Sequence, residues 1–424
     1  MKLMLSLLTA AVVSTSVLAE NIAIIGGKVH TMTKLGTLDK ATILIKDGKI
    51  AQIDKDLRVP DSYRKIDATG KVITPGFVGA LTTLGLVEVS MSAGVVDSSV
   101  EKAGVTKTGA ALDVSYALNP DSSLVNISRI EGVTSAATAI SSVDTLFYGQ
   151  GAVMSLGDDP LLKAHAFMKV DVGSEGAEES GGSRAALWVA LESALAEAAS
   201  VDGKLDAKDD WHGMNSRADV AALKKVLNGN MPLFMQADRA ADIRQVIAFK
   251  QRHPDIKVVL VHGVEAWRVA EQLADNNIPV IIDPEFNLPG GFDQLGATLA
   301  NAARLEKAGV VVAIGMDTHN IRLAAQHAGN AVANGLSHEA GLASLTSAPA
   351  KILGMQDTIG SISQGKRADI VIWSGDPLEV TEAAEQVFVN GEPIKMESRQ
   401  TKLRDRYLSS QKTSYAHPPQ YLRP

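Results

Sequence analysis

The sequence predicts an α/β protein, a TIM-type (β/α)8 barrel joined to a small β-sandwich domain built from both termini. Two textures carry that reading. Residues 75–362 alternate short Val/Ile-rich runs with helical periodicity, whereas both ends read as strands and turns. A chain of 424 residues has room for a barrel of about 250 residues and a second small unit. A doubly wound parallel sheet is the alternative for the middle segment.

The elements follow in chain order. Asn21 to Ile25 is apolar, Gly26-Gly27 interrupts it, and Lys28 to Met32 resumes. Ala41 to Ile45 and Lys49 to Ile53 flank Lys46-Asp47-Gly48, and an Asp-Gly pair between alternating residues is a strong hairpin signal. A short strand is expected at Lys71 to Thr74. In the middle, Ala152 to Leu156, Pro232 to Met235, Val258 to Val261, Pro279 to Ile282 and Val310 to Ile314 read as parallel strands buried on both faces. Ala185 to Ala198, Ala266 to Ala274 and Gly341 to Leu353 read as helices, the first with Trp188, Leu191 and Leu195 on one face. Gly173 to Ser183 reads as a flexible loop over the barrel mouth, with Glu178 and Glu179 in solvent, and Asp158-Asp159-Pro160 as a turn. Near the far end, Ala368 to Trp373 and Gln386 to Val389 are strand-like, the latter leading into the turn Asn390-Gly391, and Ser398 to Pro424 is a polar tail.

Composition bounds the function. Hydrophobic residues are 46% and charged residues 21% of the chain, enough for a large core. A formal net charge of −7 argues against a nucleic-acid partner, which needs a basic footprint. The absence of cysteine excludes disulfides, thiolate metal sites and a cysteine nucleophile. Lys2, the apolar run Leu3 to Val13 and the small-residue pattern Val17-Leu18-Ala19 have the form of a secretory signal. Cleavage is expected after Ala19, leaving a mature chain that starts at Glu20 in the periplasm. The apolar run falls short of the roughly 20 residues a membrane span takes, and no later segment is a better candidate.

Several motifs resemble the amidohydrolase superfamily of metal-dependent hydrolases, in particular its imidazolonepropionase-like branch. Val72 to Gly85, which contains Thr74-Pro75-Gly76-Phe77-Val78-Gly79-Ala80-Leu81-Thr82-Thr83, is similar to that family's T-P-G-F-[IV]-D-x-H-x-H-x-G. Gly132-Val133-Thr134, Gly149-Gln150-Gly151-Ala152-Val153 and Ala348-Pro349-Ala350-Lys351 match further family segments. Gly360-Ser361-Ile362-Ser363-Gln364-Gly365-Lys366-Arg367-Ala368-Asp369-Ile370-Val371 resembles the long motif that closes the barrel and re-enters the β-domain. Between the signal segment at 1–19 and the polar tail at 398–424, the resemblance implies a discontinuous β-domain at 20–74 and 363–397 around a barrel at 75–362.

The resemblance also implies a metal centre, and here the chain departs from the family. The family's two first histidines fall on Leu81 and Thr83, its Asp on Gly79, and a further histidine on Gln236 within Pro232-Leu233-Phe234-Met235-Gln236-Ala237-Asp238-Arg239. A leucine or glycine side chain offers no lone pair, threonine is a poor ligand at neutral pH, and an amide binds transition metals weakly. His262 in Val261-His262-Gly263 and Asp317 in Gly315-Met316-Asp317-Thr318-His319 match family ligands, and Lys169 is a candidate for the bridging position. His262 and Asp317 are therefore the expected catalytic pair and the residual metal ligands; Gln236 and His319 are the expected substrate contacts.

Two ligands fall short of the three that a catalytic zinc ordinarily has. Of the other histidines, His30 falls in the β-domain, His417 in the tail, His165 before a strand, and His212, His253, His327 and His338 in helical or loop stretches away from strand ends. Thr82 or Thr83 would need an adjacent base to act as a nucleophile. The expectation is an amidohydrolase-lineage protein of non-peptide C–N bonds, impaired in that chemistry, with no cofactor or one divalent metal, zinc before others. Its partners would be a small molecule, a second copy, or an active homologous chain. The alternative is an active hydrolase of cyclic amides or N-acyl compounds, with a single metal or none at His262 and Asp317. In a metal-free site, an Asp–His pair still offers general acid–base chemistry.

Overall fold

In the computed structural model, residues 20–88, 96–101 and 106–410 are described. The expected signal segment, His417 and the end of the tail lie outside them. Five strands open the chain: β1 (Ile22–His30), β2 (Thr37–Lys46), β3 (Lys49–Asp54), β4 (Arg64–Asp67) and β5 (Val72–Pro75). The middle carries β6 (Phe77–Thr82), β7 (Ser99–Val100), β8 (Val133–Thr138), β9 (Ser142–Val143), β10 (Phe147–Ser155) and β11 (Leu161–Asp171). It continues through β12 (Leu233–Ala237), β13 (Val258–His262), β14 (Val280–Ile282) and β15 (Val312–Ile314). The last strands are β16 (Ile370–Trp373), β17 (Ala384–Val389) and β18 (Glu392–Pro393).

Both ends of the chain enter one sheet of order β18-β17-β16-β5-β1-β2-β3, with β4 paired to β1. The join is β5 against β16, antiparallel, with Pro75 opposite Ile370 and Val72 opposite Trp373. The sheet curls around its own core of Ile22, Ile24, Ile43, Ile73, Ile370 and Phe388. Backbone bonds from Ile50 N to Lys366 O (2.9 Å) and from Ala368 N to Gly48 O (2.9 Å) bring its far edge back. The Asp47-Gly48 hairpin forms as expected, both residues taking positive φ (51° and 74°), as a tight two-residue turn requires. Gly26-Gly27 does not end a strand: β1 runs through it with a register shift. Gly26 takes φ 85°, and a Cβ there would lie 2.8 Å from Thr69 Oγ1, so the pair is a bulge rather than a break.

The second sheet is the barrel, in the order β15-β14-β13-β12-β11-β10-β8-β6. Its ends meet where Met316 N donates to Leu81 O (3.0 Å). A Cβ on Gly315 would stand 2.8 Å from Leu81 N, so this approach of first to last strand needs glycine. One strand differs from a uniform parallel barrel: β10 is antiparallel to both neighbours, Ser155 facing Ser135 on β8 and Phe147 facing Val170 on β11. Only residues 139–146 separate β8 from β10, too few for the crossover of about a dozen residues that a parallel pair needs. The start of β10, not its end, therefore reaches the barrel mouth. β7 and β9 pair with each other.

The helices cover the barrel from outside. Arg184–Ser200 starts at Ser183, whose hydroxyl accepts from Ala185 N, and buries Leu187, Leu191, Ala194, Leu195 and Ala198. Trp188 is only partly buried, tilted against Phe249. Two corrections concern the remaining helical segments. The single helix expected over Gly341 to Leu353 is two, His338–Ser344 and Ser347–Ile352. Pro349 has no N–H to return to the carbonyl of Leu345, which accepts from Val78 N of the barrel instead (2.7 Å). The loop expected at Gly173 to Ser183 contains a helix, Ser174–Glu179, with Glu178 and Glu179 exposed. The tail begins as a helix, Arg399–Ser410. Among the described residues no helix is long and apolar enough to cross a membrane.

Candidate functional site

Strand alternation decides what reaches the barrel interior. Successive side chains point to opposite faces, so Phe167, Lys169 and Asp171 share the inner face of β11, and Phe234 and Gln236 that of β12. Phe167 and Phe234 stack at 4.2 Å inside, in an apolar layer with Leu81, Val261, Ile281 and Ala313. Above that layer, at the strand ends, the interior turns polar.

Lys169 is buried to 1% exposure, and its ammonium donates to Asp317 Oδ2 at 2.5 Å. The same ammonium lies 4.6 Å from the centre of the Tyr148 ring, which the reversed β10 brings to the mouth. Burial first, then the charge of Asp171, pushes the Tyr148 phenol far up, so it stays protonated. Asp171, directly opposite Gln236 on the neighbouring strand, accepts from Gln236 Nε2 (2.7 Å), Gly173 N (2.7 Å) and Gly176 N (3.2 Å). Burial raises its pKa, and the two glycine N–H groups oppose that rise. Among the described residues of the mouth, two buried acceptors lack a hydrogen-bond partner, Gln236 Oε1 and Asp317 Oδ1.

His262 ends β13 with φ 68°, and Asp317 follows β15 with φ 32°, a left-handed conformation uncommon for these residues. On the parity of its strand His262 would follow Leu260 toward the helices. The left-handed turn brings it to the mouth, with Nε2 4.0 Å from Asp317 Oδ2 and Nδ1 4.0 Å from Asp238 Oδ2. These are longer than hydrogen bonds. Phe286 packs edge-on against its ring at 5.6 Å. His319 is half-buried two residues beyond Asp317; burial, then Arg322, holds its pKa below the ordinary histidine value. The structure thus gathers Lys169, His262 and Asp317, with Gln236 bound to Asp171 beside them. Asp171 and Tyr148 were not singled out by sequence, although Lys169-Val170-Asp171 on an apolar strand places two charges on one face. His327, set aside as remote from strand ends, is buried with Nδ1 2.8 Å from Asp283 Oδ1, immediately after β14.

The positions of the family's first two histidines hold no donor set. Leu81 is buried in the apolar layer, and Thr83 is buried with its N–H on Thr318 O (3.3 Å). The Thr82 hydroxyl donates to Ala137 O (3.1 Å). Gln236 is turned to Asp171, and a cation already sits on the Asp317 carboxylate. Among the described residues no three His, Cys, Asp or Glu side chains converge so as to share one metal ion.

Comparison with known proteins gives the lineage. An amidohydrolase from Thermotoga maritima MSB8 superposes with a TM-score of 0.79 at 25% identity, covering 88% of this chain and 99% of that one. Molinate hydrolase shares the fold, with a TM-score of 0.56 at 18% identity over 96% of this chain and 99% of that one. Local sequence matches are closer but short. Amidohydrolase tasK of Hapsidospora irregularis is 51% identical over 57 residues, 13% of this chain and 6% of that protein. The dihydroorotase of Mycobacterium tuberculosis is 49% identical over 49 residues, 12% of this chain and 11% of that enzyme. The chain thus aligns with only a small part of these two curated relatives. Residues 172–396, just over half of the 424, match the profile of the Amidohydrolase family. With the barrel, the sheet shared by both termini and this match together, the chain belongs to the amidohydrolase family.

Proposed function

We propose that this protein is an amidohydrolase-family barrel that has given up metal-dependent hydrolysis of C–N bonds and uses its mouth to bind a small molecule. It acts in the periplasm after cleavage at Ala19, alone, as a second copy, or beside a catalytically complete homologous chain. One observation carries this reading: the Lys169 ammonium, buried and 2.5 Å from Asp317 Oδ2, occupies the carboxylate that the family resemblance assigns to metal. A fixed positive charge there repels a divalent cation as well as blocking its ligand. With Leu81, Thr83 and Gln236 in place of three imidazoles, no metal-activated hydroxide is available at neutral pH.

The test is metal content of the tag-free mature protein, followed by titration of zinc and manganese into apo protein. We expect no stoichiometric metal and no binding at concentrations of about tens of micromolar, against the far tighter affinities of dedicated zinc sites. Near-stoichiometric metal bound with sub-micromolar affinity overturns the reading. That result favours the hydrolase alternative, in which His262 and Asp317 hold one metal against cyclic amides or N-acyl compounds.

A further inference from the structure

A cavity of about 530 Å³ opens at the other end of the barrel, where the strands begin. Pro232 and Lys257 stand just before β12 and β13, Lys163 lies early on β11, and Met32, Ser361 and Lys366 come from the seam with the small sheet. Four lysines line it, Lys163, Lys257, Lys351 and Lys366, and no aspartate or glutamate does. A second hollow of about 460 Å³ shares Lys257 and Lys351 and adds Lys250, again without a carboxylate. In a chain of net charge −7 this segregation of charge is unusual.

The lysines are not consumed by ion pairs. Among the described residues, lysine ion pairs form at Lys71, Lys169 and Lys402, none of them here. Lys163 Nζ donates to Leu353 O (2.8 Å), and Lys366 Nζ to Ser361 Oγ (2.5 Å) and Gln356 O. These neutral acceptors fix the ammoniums at the cavity wall without cancelling their charge. Lys163 and Lys366 are half-buried, Lys257 and Lys351 exposed at the rim. Burial, then the proximity of Lys257, holds Lys163 below the ordinary lysine pKa; burial does the same to Lys366, which Asp357 partly offsets from outside the lining. Cations that repel one another detract from stability, so a purely structural role does not account for the cluster. Concave walls of one sign concentrate counter-ions, and lysine ammoniums are compact point charges suited to phosphate.

We infer that this cavity binds a small, multiply charged oxyanion, a phosphate ester or a polycarboxylate. The site lies on the opposite face of the barrel from His262 and Asp317 and does not depend on whether those residues retain chemistry.

Isothermal titration of the mature protein with pyrophosphate and, separately, with citrate in low-salt buffer tests the assignment. Saturable binding of either is expected, pyrophosphate pointing to a phosphate ester and citrate to a polycarboxylate. K257Q/K351Q removes two exposed charges that hold nothing else in place, so the fold survives; affinity should fall by about tenfold. K204Q/K208Q, an equal charge change on an exposed loop that lines neither hollow, should leave affinity unaltered. Absence of binding by both probes, or the same loss in both variants, overturns the proposal.

Discussion

Lys169 and Asp317, 148 residues apart in sequence, meet at 2.5 Å inside the barrel mouth. Each charge is withdrawn from water and compensated chiefly by the other, so removing one strands its partner. Lys169→Met and Asp317→Asn should each lose about 3–5 kcal/mol in urea unfolding. The double variant should lose less than the sum, because it leaves no lone charge. Additive losses would show that the two groups do not interact.

Asp171 provides a pH prediction with a definite sign. Its folded pKa lies above the unfolded value, so the native state holds its proton more tightly. Stability attributable to this group is present at acid pH and declines as pH rises from the ordinary carboxylate range through the raised value. Asp171→Asn keeps an oxygen for the Gly173 and Gly176 N–H groups. Its new amide can donate to Gln236 Oε1, which now lacks a partner, once the Gln236 amide turns over. The variant should gain about 1 kcal/mol near neutral pH and lose that slope, as unfolding curves at several pH values would report.

Leu81 tests whether an imidazole can be placed where the family resemblance expects a metal ligand. Its side chain belongs to the apolar layer of Val261, Ile281 and Ala313. Leu81→His should therefore cost about 2–4 kcal/mol, an imidazole replacing packed methyl groups without a buried partner. Zinc should not recover that loss while Lys169 occupies Asp317. Thermal unfolding with and without zinc distinguishes the outcomes, and a large zinc-dependent rise would sink the idea.

Trp373 joins the two sheets. Its indole donates from Nε1 to Thr74 Oγ1 (2.9 Å) and stacks 5.0 Å from Phe77, the first residue of the barrel. Trp373→Ala should lose about 3–5 kcal/mol. Trp373→Phe should keep the stack, drop only the hydrogen bond and lose about 1 kcal/mol. Chemical denaturation of both variants compares the two terms.

Much of this architecture was legible in the residues. The Asp47-Gly48 turn, the strands at 233–237, 258–262, 280–282 and 312–314, and the Ser183-capped helix follow from local chemistry. The identities of Leu81, Thr83 and Gln236 at the positions where the family resemblance expects ligands also need no coordinates. The rest depended on distance through space. Nothing local says that Lys169 reaches Asp317, or that His327 returns from its helix to Asp283. Local propensity also cannot tell a bulge at Gly26-Gly27 from a break, since the difference lies in whether Thr69 crowds the backbone. The reversal of β10 was within reach, in the short connection 139–146, but Val/Ile-rich runs look alike in either direction.

That reversal bears on how the chain folds. β8, β10 and β11 form an antiparallel meander whose connections span only residues 139–146 and 156–160. The other barrel pairings join strands separated by a helix or by nearly the whole domain. Closing short loops loses little chain entropy and is fast, whereas non-local pairing is slow. The meander is thus the natural nucleus from which the barrel zips in both directions, and the Met316–Leu81 contact is its last stitch. A slow refolding phase should then be sensitive to Gly315, at the seam, and indifferent to residues in the meander.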